Sequence, residues 1–228
     1  MRRVVYSLAL AALAAAMASA QTIPDEKKTI GTQMPDVALV SDADSTFHVS
    51  ALWGKPVIVS PIFTSCPHTC SMITESLRDA LREIGEPGVG YEVLTISFDP
   101  ADDSAAMRAY RERLELPAGW RLATASAADL ATFLGAIDFT VTALAEGGFA
   151  HPNLVVVLSP DLKVASYVHG VMYDADDVRA ALEDASERAS LVRRFRPLLV
   201  VIVGLGLGAV GWALYVTRGA AHRRQREA

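Results

Sequence analysis

Only two cysteines occur in the 228 residues, Cys66 and Cys70, and both fall in Thr64-Ser-Cys-Pro-His-Thr-Cys70. A spacing of four brings two side chains to the same face of one helical turn. The run follows a buried-type strand segment, Pro56 to Phe63, and opens a segment with helical spacing, so the thiols sit at a helix N-terminus. Free N–H groups and partial positive charge there stabilise thiolate, the form that attacks disulfides and the form that binds metal. Two such sulfurs form a disulfide or clasp one soft ion, and Cu(I) is the natural candidate because soft thiolates prefer it. A plain structural disulfide is the alternative in an oxidising compartment. A four-residue loop gains little from such a staple on the chain-entropy model.

Five histidines are present. His151 follows Gly147-Gly148 at the mouth of a strand, where a mobile loop can bring it over the cysteines. Its imidazole supplies the ligand that Cu(II) favours, and its plainer role is that of a solvated loop histidine. His68, between the cysteines, tunes the thiols by its charge rather than ligating, because two ligand cysteines would point the other way. His48 and His169 lie at strand ends and serve surface or packing. Asp99 ends a strand at the carboxyl edge where α/β folds place their sites, and it orients a ligand or receives a partner there. Asp103 is more simply a helix cap. Asp174, Asp176 and Asp177 enrich a helix start and need no metal.

The elements that must hold these residues alternate. A hairpin is expected from Asp36–Val40 and Thr46–Leu52 across the turn 41–44. Strands follow at Pro56–Phe63, Tyr91–Phe98, Arg121–Ala125, Leu154–Leu158 and Val164–Val168. Helices are expected over Thr69–Ile84, from the Asp103-Ser104 cap to Leu116, from Ser126 to about Leu134, and over Asp174–Ser190. Strands alternating with helices imply a sheet with parallel members and helices on both faces, and the last two strands add an antiparallel unit. This is an α/β order of thioredoxin-like type, a mixed sheet flanked by helices. Residues 35–190 form that domain, and the polar stretch 21–34 reads as a loose leader.

With 51% apolar and 21% charged residues, the chain is neither disordered nor collagen-like. Residues 21–187 hold 25 acidic and 11 basic side chains, a net charge of -14, which argues against nucleic-acid binding by the body. The other ten basic residues sit at the two ends, beside two apolar runs. Residues 1–20 read as a signal peptide: Arg2 and Arg3, an apolar Val4–Met17, then Ala18-Ser19-Ala20 for cleavage before Gln21. Pro197 to Thr217 carries no charge over a length of about 30 Å as a helix, so residues 198–216 are expected to span a membrane. A basic juxtamembrane linker, 191–197, precedes the span and a basic cytoplasmic tail, 217–228, follows it. The expected arrangement is single-pass in the cell inner membrane, with the thioredoxin-like domain in the periplasm.

The run Gly54-Lys-Pro-Val-Ile-Val-Ser-Pro-Ile-Phe-Thr-Ser-Cys-Pro-His-Thr-Cys70 resembles the signature of the Sco/SenC family of copper-binding, thioredoxin-like proteins. The resemblance continues in Leu94-Thr-Ile-Ser-Phe-Asp-Pro100 with Asp103, in His151 ahead of Leu154–Leu158, and in Ser159-Pro-Asp-Leu-Lys163, covering roughly Met34 to Ser186. It implies a copper chaperone for cytochrome c oxidase assembly. Copper, as Cu(I) or Cu(II), would be bound by Cys66, Cys70 and His151. It would be delivered to the binuclear copper site of oxidase subunit II, or the cysteines of that site would be reduced. Three departures stand out: Ser71 replaces a proline, the anchor is C-terminal, and Pro152 follows His151. Thioredoxins carry a cis-proline before the matching strand, a position Pro152 fits.

Two classes of function follow. One is a metallochaperone without turnover, serving subunit II or another copper-site protein. The other is an extracytoplasmic thiol–disulfide oxidoreductase working through Cys66 and Cys70 as redox thiols. Three intervening residues and His151 favour the first, since thioredoxin-like oxidoreductases use two. Cys-Pro-His and Pro152 favour the second. Peroxiredoxin-like peroxide reduction is a weaker third.

Overall fold

The structure is a computed structural model that describes residues 23–67, 69–145 and 147–188. The expected signal segment, His68, residues 191–197, the expected span and the tail lie outside the described residues. The chain divides into two units, Met1–Ser186 and Glu187–Ala228, and the first carries the fold. Among the described residues no helix is long and apolar enough to cross a membrane.

In chain order the first unit runs α1 (Glu26–Thr29), β1 (Ala38–Ser41), β2 (Thr46–His48), β3 (Val57–Ile62), α2 (Thr69–Ile84), β4 (Glu92–Ser97), α3 (Ser104–Arg113), β5 (Trp120–Ala125) and α4 (Ala127–Ala136). It continues with β6 (Thr142–Ala143), β7 (Phe149–Ala150), β8 (Leu154–Leu158) and β9 (Val164–His169). A final helix, α5, starts at 175 and continues to 188. Seven strands form one sheet in the order β2-β1-β5-β4-β3-β8-β9. The pairs β3–β4 and β4–β5 are parallel, and β8 enters antiparallel to β3. The thioredoxin-like mixed sheet is therefore present.

Local chemistry explains the central elements. Every residue of β3, β4 and β8 is buried, as befits strands covered on both faces. On α2, Cys70, Ile73, Leu77, Ala80 and Leu81 form one buried stripe at helical spacing. Asp103 caps α3 by accepting from the Ala106 N–H at 2.8 Å, and Ser126 caps α4 by accepting from the Asp129 N–H at 3.1 Å. Helices α2 and α3 pack together, with Thr74 bonded to Tyr110 at 2.8 Å.

Three expectations are corrected, and one element is added. Residues 23–34 are not loose: Gly31 and Met34 donate to the Val164 and Leu162 carbonyls, and Tyr167 donates to the Thr29 hydroxyl at 2.8 Å. The second hairpin arm ends at His48, because Val49–Leu52 close into a 3-10 turn that buries Val49 and Leu52. Helix α3 stops at Arg113 rather than Leu116, since Glu115 takes a φ of 50°. The two-stranded β6–β7 ribbon, turning through Gly147 and Gly148 at positive φ, was not expected.

Candidate metal centre

Sheet register brings the site together. Val57 faces Leu158 and Val59 faces Val156, so carrying the antiparallel register past β3 sets residue 64 opposite residue 151. On the other side Ile62 faces Ser97 in parallel register, so the residues after β4 flank the same turn. The segments after β3, after β4 and before β8 thus converge at one sheet edge, where α/β folds place their sites.

The chain leaves β3 in a turn closed by the Cys66 N–H on the Phe63 carbonyl at 3.3 Å. Cys66 is half-buried and Cys70 is fully buried, and both are free thiols. The Cys70 N–H, in the first turn of α2, donates to Cys66 Sγ at 3.4 Å. A helix-terminal N–H therefore does reach a sulfur, that of Cys66. Tyr110 donates to the Cys70 carbonyl at 3.1 Å, so the Thr74 hydroxyl donates to Tyr110.

His151 is only 5% exposed, not a solvated loop histidine. Phe63, Phe98 and Phe139 surround its ring at centroid distances of 6.0, 5.1 and 5.9 Å, and Phe149 packs on Phe63 and Phe98. The Nδ1 lies 3.0 Å from the Pro152 carbonyl, which can only accept. Nδ1 therefore carries the proton, and the Nε2 lone pair is left for Cys70 Sγ, 3.8 Å away. Burial lowers the His151 pKa, against a smaller opposing effect of the Pro152 carbonyl. The ring is neutral at pH 7.

Burial pushes the Cys70 thiol well up against a smaller opposing hydrogen bond with the Phe63 backbone, and Cys66 and the Asp102 carboxylate add to the rise. At the fully buried Cys70 sulfur, desolvation opposes the thiolate that a helix N-terminus favours. Cys70 is an S–H that donates toward Nε2. A metal must displace that proton to bind there. Among the described residues no three His, Cys, Asp or Glu side chains are already gathered as a metal site. The pairwise contacts Cys66–Cys70 and Cys70–His151 are in place.

A cleft of about 220 Å³ opens beside Cys66, between Pro67 and the β6–β7 turn at Leu144, Gly147 and Gly148. A larger cleft, about 570 Å³, lies at the far end of α2 around Arg78, Arg82 and Trp120 and contains no thiol. Pro152 follows a trans bond, since the described residues contain no cis peptide, so it does not take the cis form that this position has in thioredoxins. Asp99 accepts from the Ala101 N–H at 2.9 Å within its own turn. His48 lies beside Asp36 and His169 bonds Glu26 at 2.7 Å, both at the surface. Asp174 accepts from the Asp176 N–H at the start of α5. Asp102, Tyr110 and the phenyl cage were missed. Asp102 sat unnoticed between the two aspartates that the motif singled out, and the four phenylalanines come from four separate segments with no shared spacing.

The SCO1/SenC family model matches residues 26–187. A protein of Aquifex aeolicus VF5 whose proposed role is electron transfer is 37% identical over 69% of this chain and 95% of its own, with a TM-score of 0.67. ScoI of Bradyrhizobium japonicum, with copper bound, is 18% identical over 68% of this chain and 99% of its own, at TM-score 0.59. BsSco, of the Sco family of cytochrome c oxidase assembly proteins, is 19% identical over 72% and 98%, at TM-score 0.60. No curated protein sequence matches the chain. With the motif, the thioredoxin-like sheet and the family match extending over the whole folded unit, this chain belongs to the SCO1/SenC family.

Proposed function

We propose that this chain is a periplasmic copper metallochaperone, anchored in the inner membrane by residues 198–216. It carries copper as cargo on Cys66, Cys70 and His151. It delivers the ion to, or reduces the thiols of, the binuclear copper site of cytochrome c oxidase subunit II or a similar copper-site protein. One observation carries the reading: the His151 Nε2 lone pair faces Cys70 Sγ at 3.8 Å inside an aromatic cage. Metal–sulfur and metal–imidazole bonds of about 2.3 and 2.0 Å, as at zinc, would span 3.8 Å at an angle of about 124°, between trigonal and tetrahedral, so an ion would fit between the two atoms. Cys66, half-buried beside the cleft, supplies the second sulfur. The copper bound by ScoI and the oxidase-assembly role of the BsSco family support the cargo and the recipient.

The half-exposed Cys66 beside its cleft favours a second reading, thiol–disulfide exchange. There Cys66 attacks a substrate disulfide and Cys70 resolves it. The substrate gains two electrons and two protons as its disulfide becomes two thiols, and Cys66–Cys70 forms one S–S bond.

The His151→Ala variant separates the two. Cu(I) is content with two thiolates, whereas Cu(II) gains from an imidazole. The variant should weaken Cu(II) binding by at least about tenfold, Cu(I) much less, and should bleach or shift the thiolate-to-Cu(II) absorption. Reduction of a model disulfide should change little. Unchanged binding of both copper states would leave thiol exchange as the function.

A further inference from the structure

Thr64 has three polar atoms, and side chains from outside its own turn hold all three. Its N–H donates to Asp102 Oδ2 at 2.8 Å, its hydroxyl donates to Asp102 Oδ1 at 2.5 Å, and its carbonyl accepts from Arg113 Nη2 at 3.2 Å. Asp102 is steadied in turn by Ser97 at the end of β4, whose hydroxyl donates to Oδ2 at 2.5 Å. Arg113 lies over the Tyr110 ring, 5.0 Å from its centroid, and Tyr110 holds the Cys70 carbonyl. Thr64 is the first central residue of the turn that the Cys66 N–H closes on Phe63. Fixing Thr64 therefore fixes the direction in which Cys66 leaves the sheet.

We propose that Asp102 is a positioning residue for Cys66: by gripping the backbone and hydroxyl of Thr64 it sets the reach of the Cys66 sulfur toward Cys70. The inference rests on the thiol site, and in its copper form on the reading above. The grip on Thr64 does not require the charge of Asp102, whose effect on the Cys70 thiol is the smallest of those that raise it. An asparagine oxygen can accept from the Thr64 N–H and Ser97, while its NH2 donates to the Thr64 hydroxyl, preserving the grip. Alanine removes it.

The test uses the purified full-length chain and its Asp102→Asn, Asp102→Ala and Thr64→Val variants, with thermal unfolding recorded for each. Two quantities are measured: Cu(I) affinity by competition with a chromophoric chelator, and the equilibrium between the Cys66–Cys70 dithiol and disulfide in glutathione buffers. In the second, the two thiols lose two protons and two electrons to oxidised glutathione, which becomes two glutathione thiols. Asp102→Ala should weaken Cu(I) by about tenfold or more and shift the dithiol–disulfide equilibrium toward dithiol by at least about threefold. Asp102→Asn should restore most of both. Thr64→Val, which loses one of the bonds to Asp102, should fall between wild type and alanine, and it decides the matter if the alanine variant does not fold. Wild-type values in the alanine and valine variants would overturn the proposal, and so would an asparagine variant as impaired as alanine. If wild type binds no Cu(I), the copper reading falls, and the dithiol–disulfide equilibrium alone decides the role of Asp102.

Discussion

Cys70 and His151 meet as a protonated sulfur and a neutral nitrogen, and burial is the first cause of both states. That pairing has a consequence for pH. Copper must displace the Cys70 proton, and each proton released makes apparent affinity rise tenfold per pH unit. The thiol is raised above its ordinary value, so the slope does not flatten at the pH where a solvated cysteine loses its proton. His151, lowered, is already neutral at pH 7 and adds no slope there. Cu(I) affinity should therefore climb by at least about tenfold per unit from pH 6.5 to 8.5, read by chelator competition at several pH values. An affinity flat across this window would mean that Cys70 is already thiolate or is not a ligand. The candidate ligands were legible in the sequence because cysteines are few and their spacing is chemical. Their protonation was not, because it depends on four phenyl rings and a sheet interior that no local spacing reveals.

At the scale of elements, α3 acts as a brace for the cysteine helix. Its Tyr110 bonds the Cys70 carbonyl and takes the Thr74 hydroxyl, both in buried surroundings. Tyr110→Phe removes one donor and leaves two buried partners short. A loss of about 1–2 kcal/mol is expected, which lowers Tm by about 2–4 °C for each kcal/mol in a domain of this size. Thermal unfolding followed by circular dichroism checks it; an unchanged Tm would mean water or a neighbour replaces the bond. Helix α2 was legible to both ends because its apolar stripe, preceding strand and terminal Gly85 agree. The β6–β7 ribbon was not, since two-residue strands carry no periodicity. The docking of residues 23–34 on β9 was hidden for a similar reason: it rests on backbone bonds and Tyr167, which a polar sequence does not disclose.

For the whole molecule, an acidic body between basic, apolar ends suits a domain tethered at a membrane and working on protein partners rather than nucleic acid. The orientation proposed here, with the body in the periplasm, requires the C-terminus to stay in the cytoplasm. A reporter fused after Ala228 that is active only in the cytoplasm should be active, and one active only in the periplasm should be silent; the reverse pattern would invert the topology. The central claim is that Cys66 and Cys70 together hold one copper ion. Its most direct test is an anaerobic Cu(I) titration of the reduced protein with thiols counted before and after, repeated for Cys66→Ser and Cys70→Ser. The account predicts one Cu(I) per chain, protection of both thiols, and loss of tight binding in each variant, because a single thiolate lacks the chelate. Tight binding that survives in either variant would contradict it.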